Sequence, residues 1–142
     1  MIYTTKNTEE TKKIGYMLAE KLKAEGSDRR YIALRGEMGV GKTAFSAGFA
    51  SYFGITAVKS PTYTVMNEYR GNGARIYHFD MYRITDGDDL YSIGYDDYID
   101  SDAYSIVEWS ENIEDFIPDD AIFVTIERTG ENEEWRKINI DF

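Results

Sequence analysis

Cysteine is absent, proline occurs twice and histidine once in this chain of 142 residues. Without cysteine there is no disulfide framework, no thiol nucleophile and no zinc-thiolate centre, and a reducing compartment is compatible. Nowhere do eighteen apolar residues follow one another, and the opening Met1-Ile-Tyr-Thr-Thr-Lys-Asn-Thr-Glu-Glu carries no apolar signal core. The expectation is a soluble, cytoplasmic protein with no membrane association. Basic residues are the other shortage: 16 against 26 acidic ones, a net charge of −10. Affinity for nucleic acid depends on lysines and arginines neutralising phosphates, so direct nucleic-acid binding is not expected. Repeats, low-complexity tracts and linkers are missing too. That leaves one domain over residues 1–142, long enough to bury about two-thirds of its unfolded surface.

Against these shortages stands Tyr31-Ile-Ala-Leu-Arg-Gly-Glu-Met-Gly-Val-Gly-Lys-Thr43, an apolar run that breaks into glycines and ends in Lys-Thr. From Gly36 to Thr43 it fits G-x-x-x-x-G-K-[ST], a phosphate-binding loop. Its glycines let backbone amides face phosphates, the lysine reaches the β/γ-phosphates and the hydroxyl ligates magnesium. Tyr31 to Leu34 reads as a buried strand and Thr43 to Phe53 as a helix whose positive end points at the anion. Because the chain's acidity repels a triphosphate at long range, Lys42, the amides and a magnesium ion have to hold it locally. The nucleotide-binding set on this reading is Glu37, Met38, Gly39, Val40, Gly41, Lys42 and Thr43.

Around the loop, residues 1–5 suggest a short edge strand, and Asn7-x-x-Glu10 a capping box. Ile14, Met17, Leu18 and Leu22 then share one helical face, which Gly26 ends. Residues 55–70 suggest extended structure around Pro61. Arg70-Gly-Asn-Gly-Ala-Arg75 has turn chemistry, making 64–69 and 75–80 antiparallel neighbours. Asp86 to Asp102 holds seven aspartates and no basic residue, and short helices are expected there. Tyr104 to Trp109 reads as a strand, Asn112 to Phe116 as a short helix, and Ala121 to Glu127 with Trp135 to Phe142 as a final hairpin. The fold class is α/β: a three-layer P-loop NTPase-like fold with a mixed, largely parallel central sheet, an antiparallel hairpin at about 64–80 and a C-terminal β-hairpin.

Several groups could complete a site. Asp80 ends the apolar run Ile76-Tyr-His-Phe-Asp and is either a metal partner or a turn and cap residue. Glu108 ends Ser105-Ile-Val-Glu and is either a metal or water-positioning carboxylate or a solvated strand end. Period-two alternation puts His78 on the face of Asp80, where a structural hydrogen bond is the expected role. Ser60-Pro-Thr62 reads as a switch segment sensing the γ-phosphate or as an ordinary turn. Trp109, next to Glu108, lies either near the nucleotide or, as is commoner for a tryptophan at a strand end, in the core. Lys59, Arg70, Arg75, Arg83 and Arg128 are each either a charge on the transferred phosphate or, for most of them, a surface residue, with nothing to choose among them.

Gly36-Glu-Met-Gly-Val-Gly-Lys-Thr43, Ser60-Pro-Thr-Tyr63, His78-Phe-Asp-Met-Tyr-Arg83, Ile93-Gly-Tyr-Asp-Asp97 and Val107-Glu-Trp-Ser-Glu111 together resemble the TsaE (YjeE) family, in its order and approximate spacing. The family's members are small ATPases of the bacterial machinery that makes threonylcarbamoyladenosine in tRNA. The resemblance implies an ATP- and Mg2+-dependent ATPase working with TsaD and TsaB. It implies Lys42 on the phosphates, Thr43 and Glu108 on magnesium, Asp80 in the Walker-B-like position, Thr62 as a switch residue and Thr11 near the nucleotide. Glu37-Met38 stands where the family often has Asp-Leu, and Ser110 where it has proline. Two rival readings remain: a small-molecule kinase using Asp80 and His78 near an acceptor hydroxyl, and a nucleotide-gated binding module without turnover.

Overall fold

The computed structural model describes residues 1–142 as seven strands in one sheet with helices on both faces. Strands are β1 (Ile2–Thr5), β2 (Tyr31–Arg35), β3 (Met66–Gly71), β4 (Ala74–Asp80), β5 (Tyr104–Glu108), β6 (Ile122–Arg128) and β7 (Arg136–Asp141). Helices are α1 (Thr8–Ala24), α2 (Lys42–Ser51), α3 (Gly87–Ser92) and α4 (Tyr95–Ile99), with a 3₁₀ segment at Ser110–Phe116. The order across the sheet is β1-β7-β6-β2-β5-β4-β3. The central β6, β2, β5 and β4 run parallel, and β3, β7 and β1 are added antiparallel.

Alternate side chains of the strands build two cores. Ile32, Leu34, Ile76 and Ile106 pack under α1 and α2 with Leu18, Leu22, Phe45 and Phe49. Ala33, Phe79 and Val107 pack under α3, α4 and the 3₁₀ segment with Leu90, Tyr95 and Ile113. Strand β2 is buried on both faces, as a central parallel strand must be. The architecture is therefore the three-layer, mixed-sheet fold expected, with both hairpins in place.

Local details differ from expectation in instructive ways. Asn7 caps α1 by accepting the Glu10 amide at 2.9 Å, but Glu10 returns its bond to the Lys6 amide rather than to the cap residue. The buried stripe of α1 is Thr11, Gly15, Leu18, Ala19 and Leu22, with Ile14 and Met17 at its margin. Residues 55–65 form no strand. Pro61 lacks an amide for a ladder, and Val65 turns through the left-handed region at φ 68° before β3 begins. Hairpin β3–β4 closes through Asn72-Gly73, two residues between the paired Gly71 and Ala74.

Candidate functional site

The parallel strands β2, β5 and β4 end at one level, where Leu34 pairs with Glu108 and Glu108 with Asp80. Ligands of open α/β sheets bind at such carboxyl ends. After β2 the chain climbs through Gly36 to Gly41 and enters α2 at Lys42. Gly39 and Gly41 hold φ of 75° and 117°, backbone that side chains resist. A Cβ on Gly36 would lie 2.5 Å from the Ile126 carbonyl oxygen and 2.8 Å from Val40 Cγ1, so only glycine lets the loop leave the sheet here.

Lys42 is 5% exposed. Its ammonium donates to the Gly36 carbonyl at 2.7 Å and lies 3.9 Å from the Trp109 ring centroid. Burial pushes its pKa below the ordinary lysine value, while Glu108, Glu111 and Asp80 pull it back. The lysine is thus held close to where a phosphate oxygen would replace a loop carbonyl.

Asp80 uses its two oxygens differently. Oδ1 accepts the Tyr82 amide at 2.8 Å, which makes it a turn residue, and Oδ2 accepts the Thr62 hydroxyl at 3.2 Å. Thr62 is also hydrogen-bonded to Ser60 at 2.7 Å, and its carbonyl accepts from Arg83. Thr62, Asp80, Glu108, Lys42, Thr43, Gly39, Gly41 and Met38 all line one cleft of about 320 Å³. Glu108 is 4% exposed and bonded to His78 Nε2. The expected structural bond of His78 exists, but its partner is Glu108 on the neighbouring strand.

The cleft's donors suit a hard cation. A hydroxyl and two carboxylates face it, and no group of three acidic, histidine or cysteine side chains forms an all-protein metal site. Magnesium is usually held by one or two carboxylates together with substrate phosphates, so this set fits it.

Not every predicted residue lies there. Glu37 points away, pairing with Arg128 at 3.2 Å, and the Met38 carbonyl accepts from the same arginine at 3.4 Å. Val40 is anchored in the core. Thr11 is buried with its hydroxyl 2.8 Å from that of Thr5, behind Gly41, beside a smaller cavity of about 130 Å³. None of Lys59, Arg70, Arg75, Arg83 or Arg128 lines the 320 Å³ cleft.

Both readings of Trp109 meet in the structure: half-buried with φ 57°, it packs against the core and lines the cleft, and the left-handed turn after β5 lays its ring beneath Lys42. Arg136, at the start of β7, donates Nε to the Val40 carbonyl at 2.7 Å and braces the loop from behind. No local pattern in the sequence marks Arg136.

A glycine loop between a buried strand and a helix, with lysine, hydroxyl and strand-end carboxylates converging, defines a P-loop nucleotide-binding protein. A family model described as Threonylcarbamoyl adenosine biosynthesis protein TsaE matches residues 5–138. The chain is 36% identical over 132 residues to the tRNA threonylcarbamoyladenosine biosynthesis protein TsaE of Bacillus subtilis, covering 92% of this chain and 80% of that protein. It is 40% identical over 97 residues to the Haemophilus influenzae protein of the same name, covering 68% of this chain and 61% of that one. The crystal structure of Bacillus subtilis YdiB superposes with a TM-score of 0.79 at 31% identity, over 99% of this chain and 83% of that one. The chain belongs to the TsaE family. No helix is long and apolar enough to cross a membrane.

Proposed function

We propose that the chain binds Mg2+·ATP in the 320 Å³ cleft and hydrolyses it slowly alone and faster with TsaD and TsaB, in support of threonylcarbamoyladenosine formation on tRNA. One observation carries this reading: Lys42, Thr43, Thr62, Asp80 and Glu108, from four separate segments, line a single cleft at the head of α2. Lys42 exchanges the Gly36 carbonyl for phosphate oxygens, and the amides of Gly39 to Thr43 cradle them. Thr43, Asp80 and Glu108 would hold the cation, which when bound neutralises charge on the β- and γ-phosphates. Thr62, tied to Asp80, would respond to the γ-phosphate and orient water. Thr11 and Arg136 line the smaller cavity beyond Gly41 and would face the rest of the nucleotide.

The kinase alternative loses His78, which is fully buried and already bonded to Glu108, and would have to rely on Asp80 alone. A net charge of −10 favours reaching tRNA through protein partners rather than directly. The test is ATP turnover by the chain alone and with purified TsaD and TsaB, beside a panel of hydroxylated metabolites. Stimulation by the proteins is expected; phosphorylation of a metabolite would overturn the reading. Lys42→Ala should keep its fold and lose ATP binding by calorimetry.

A further inference from the structure

His78 is the chain's one histidine, and the functional reading leaves it without a task. It sits on β4 at 0% exposure, its ring centroid 6.0 Å from that of Tyr69 on β3. Its Nε2 is hydrogen-bonded to Glu108 Oε2, while Nδ1 is buried with no partner. A buried unpaired N–H costs more than an unpaired lone pair. The arrangement that leaves only a lone pair unpaired has the hydrogen on Nε2, so the ring donates to the carboxylate.

We propose that His78 is the positioning residue for Glu108: its Nε2–H holds Oε2 from within the sheet and leaves Oε1 as the oxygen presented to the cleft. This rests on the reading of Glu108 as a metal- or water-side carboxylate. The geometry supports it in two ways. Glu108 is nearly buried beside Lys42, so an unrestrained side chain could turn to pair with that ammonium instead; a donor behind it opposes the collapse. His78 also cannot reorient easily, being enclosed between Tyr69 and the strand-end carboxylate.

The test compares four full-length variants: His78→Gln, whose amide donor reaches about as far as Nε2; His78→Asn, whose donor stops short; His78→Leu, which fills space without a donor; and Glu108→Gln. Circular dichroism reports folding. Calorimetry gives ATP affinity with and without Mg2+, and steady-state kinetics separates kcat from KM. Partners behind metal-side ligands typically control 10–100-fold in metal affinity or activity. His78→Leu and His78→Asn should lose about that factor in the Mg2+-dependent part of ATP affinity and in kcat, with Mg2+-free affinity within about twofold of wild type. His78→Gln should recover most of both. Folded His78→Leu with full Mg2+ dependence, or His78→Gln as impaired as His78→Asn, overturns the proposal. If His78→Leu fails to fold, the Gln and Asn pair decides alone. Glu108→Gln separates the two ideas. If it is indistinguishable from wild type, the reading of Glu108 fails; if it is impaired while the His78 variants are not, only the positioning role fails.

Discussion

Gly48→Ala tests whether α1 and α2, the helix that follows the glycine loop, are packed at backbone distance. A Cβ at Gly48 would lie 1.9 Å from the Lys12 carbonyl oxygen and 2.6 Å from its carbon. Across the same contact a Cβ at Gly15 would lie 2.1 Å from the Phe45 oxygen. Close carbon–oxygen contacts sit at about 3.3–3.6 Å, and the obstacle is backbone of a capped helix, so α1 and α2 must separate by more than an ångström. Separation loosens Leu18, Leu22, Phe45 and Phe49, which have 0–2% exposure. Overpacking of this kind costs about 3 kcal/mol, while alanine gains about 1 kcal/mol over glycine in a helix. The net loss is about 2 kcal/mol. With an unfolding entropy near 0.3 kcal/mol/K for this length, melting should fall by about 7 °C in a calorimetric scan. Helix propensity alone predicts the opposite sign. A Gly48→Ala protein melting at or above wild type would refute the close-packing argument, and Ala47→Gly in the same helix calibrates the propensity term.

Arg136→Met removes the donor to the Val40 carbonyl and should weaken ATP binding about tenfold by calorimetry, since a bond from a charged donor contributes about 1.5–3 kcal/mol; unchanged affinity would mean the loop needs no brace. Asn7→Ala removes the cap of α1 and should lower stability by about 1 kcal/mol, or about 3 °C in melting temperature. Alkaline pH provides a further test. Burial pushes the Tyr95 phenol up to about 12, and burial plus the neighbouring Tyr95 pushes Tyr31 up as well. Both phenols stay protonated in the folded state after the unfolded ones begin to ionise, so their contribution is whole below about pH 10 and is lost as pH climbs toward 12. The urea midpoint should hold level to about pH 9 and fall above pH 10, and a Tyr31→Phe, Tyr95→Phe double variant should show a smaller fall.

The loop was legible because its pattern is local: the glycines, Lys42 and Thr43 lie within eight residues, Gly36 to Thr43, but the pattern does not show that Glu37 turns to Arg128 and Val40 into the core. The carboxylates were legible one at a time, as acids ending apolar runs, but not as a pair. Their meeting depends on β4 and β5 being neighbours, which no residue in either strand announces. The sequence left Trp109 between cleft and core because its placement follows from one left-handed residue after β5, not from hydrophobicity. Arg136 was invisible because the chain must return across the sheet to β7 before it reaches Val40. The 55–65 segment stays out of the sheet for a local reason. Its alternation resembles a strand, yet its polar groups are taken by side chains: the Lys59 amide donates to the Tyr69 hydroxyl at 3.0 Å, and that hydroxyl donates to the Lys59 carbonyl at 2.9 Å.

The hairpin does contain a hint of which strand lies inward. Strand β3 alternates between half-buried and exposed positions, whereas β4 is buried continuously from Ile76 to Asp80. Continuous burial marks a strand covered on both faces, and such a strand needs a neighbour on its far side. Once β5 takes that place, the register puts His78 opposite Ile106 and Asp80 opposite Glu108. Residues two apart share a face, so Glu108 is the diagonal neighbour of His78 and the first acid on β5 that its ring can reach. A lone histidine in a doubly covered strand must find a polar partner across the ladder. At this register the partner available is a carboxylate lining the nucleotide cleft, so burying the histidine and aiming the carboxylate are one structural requirement.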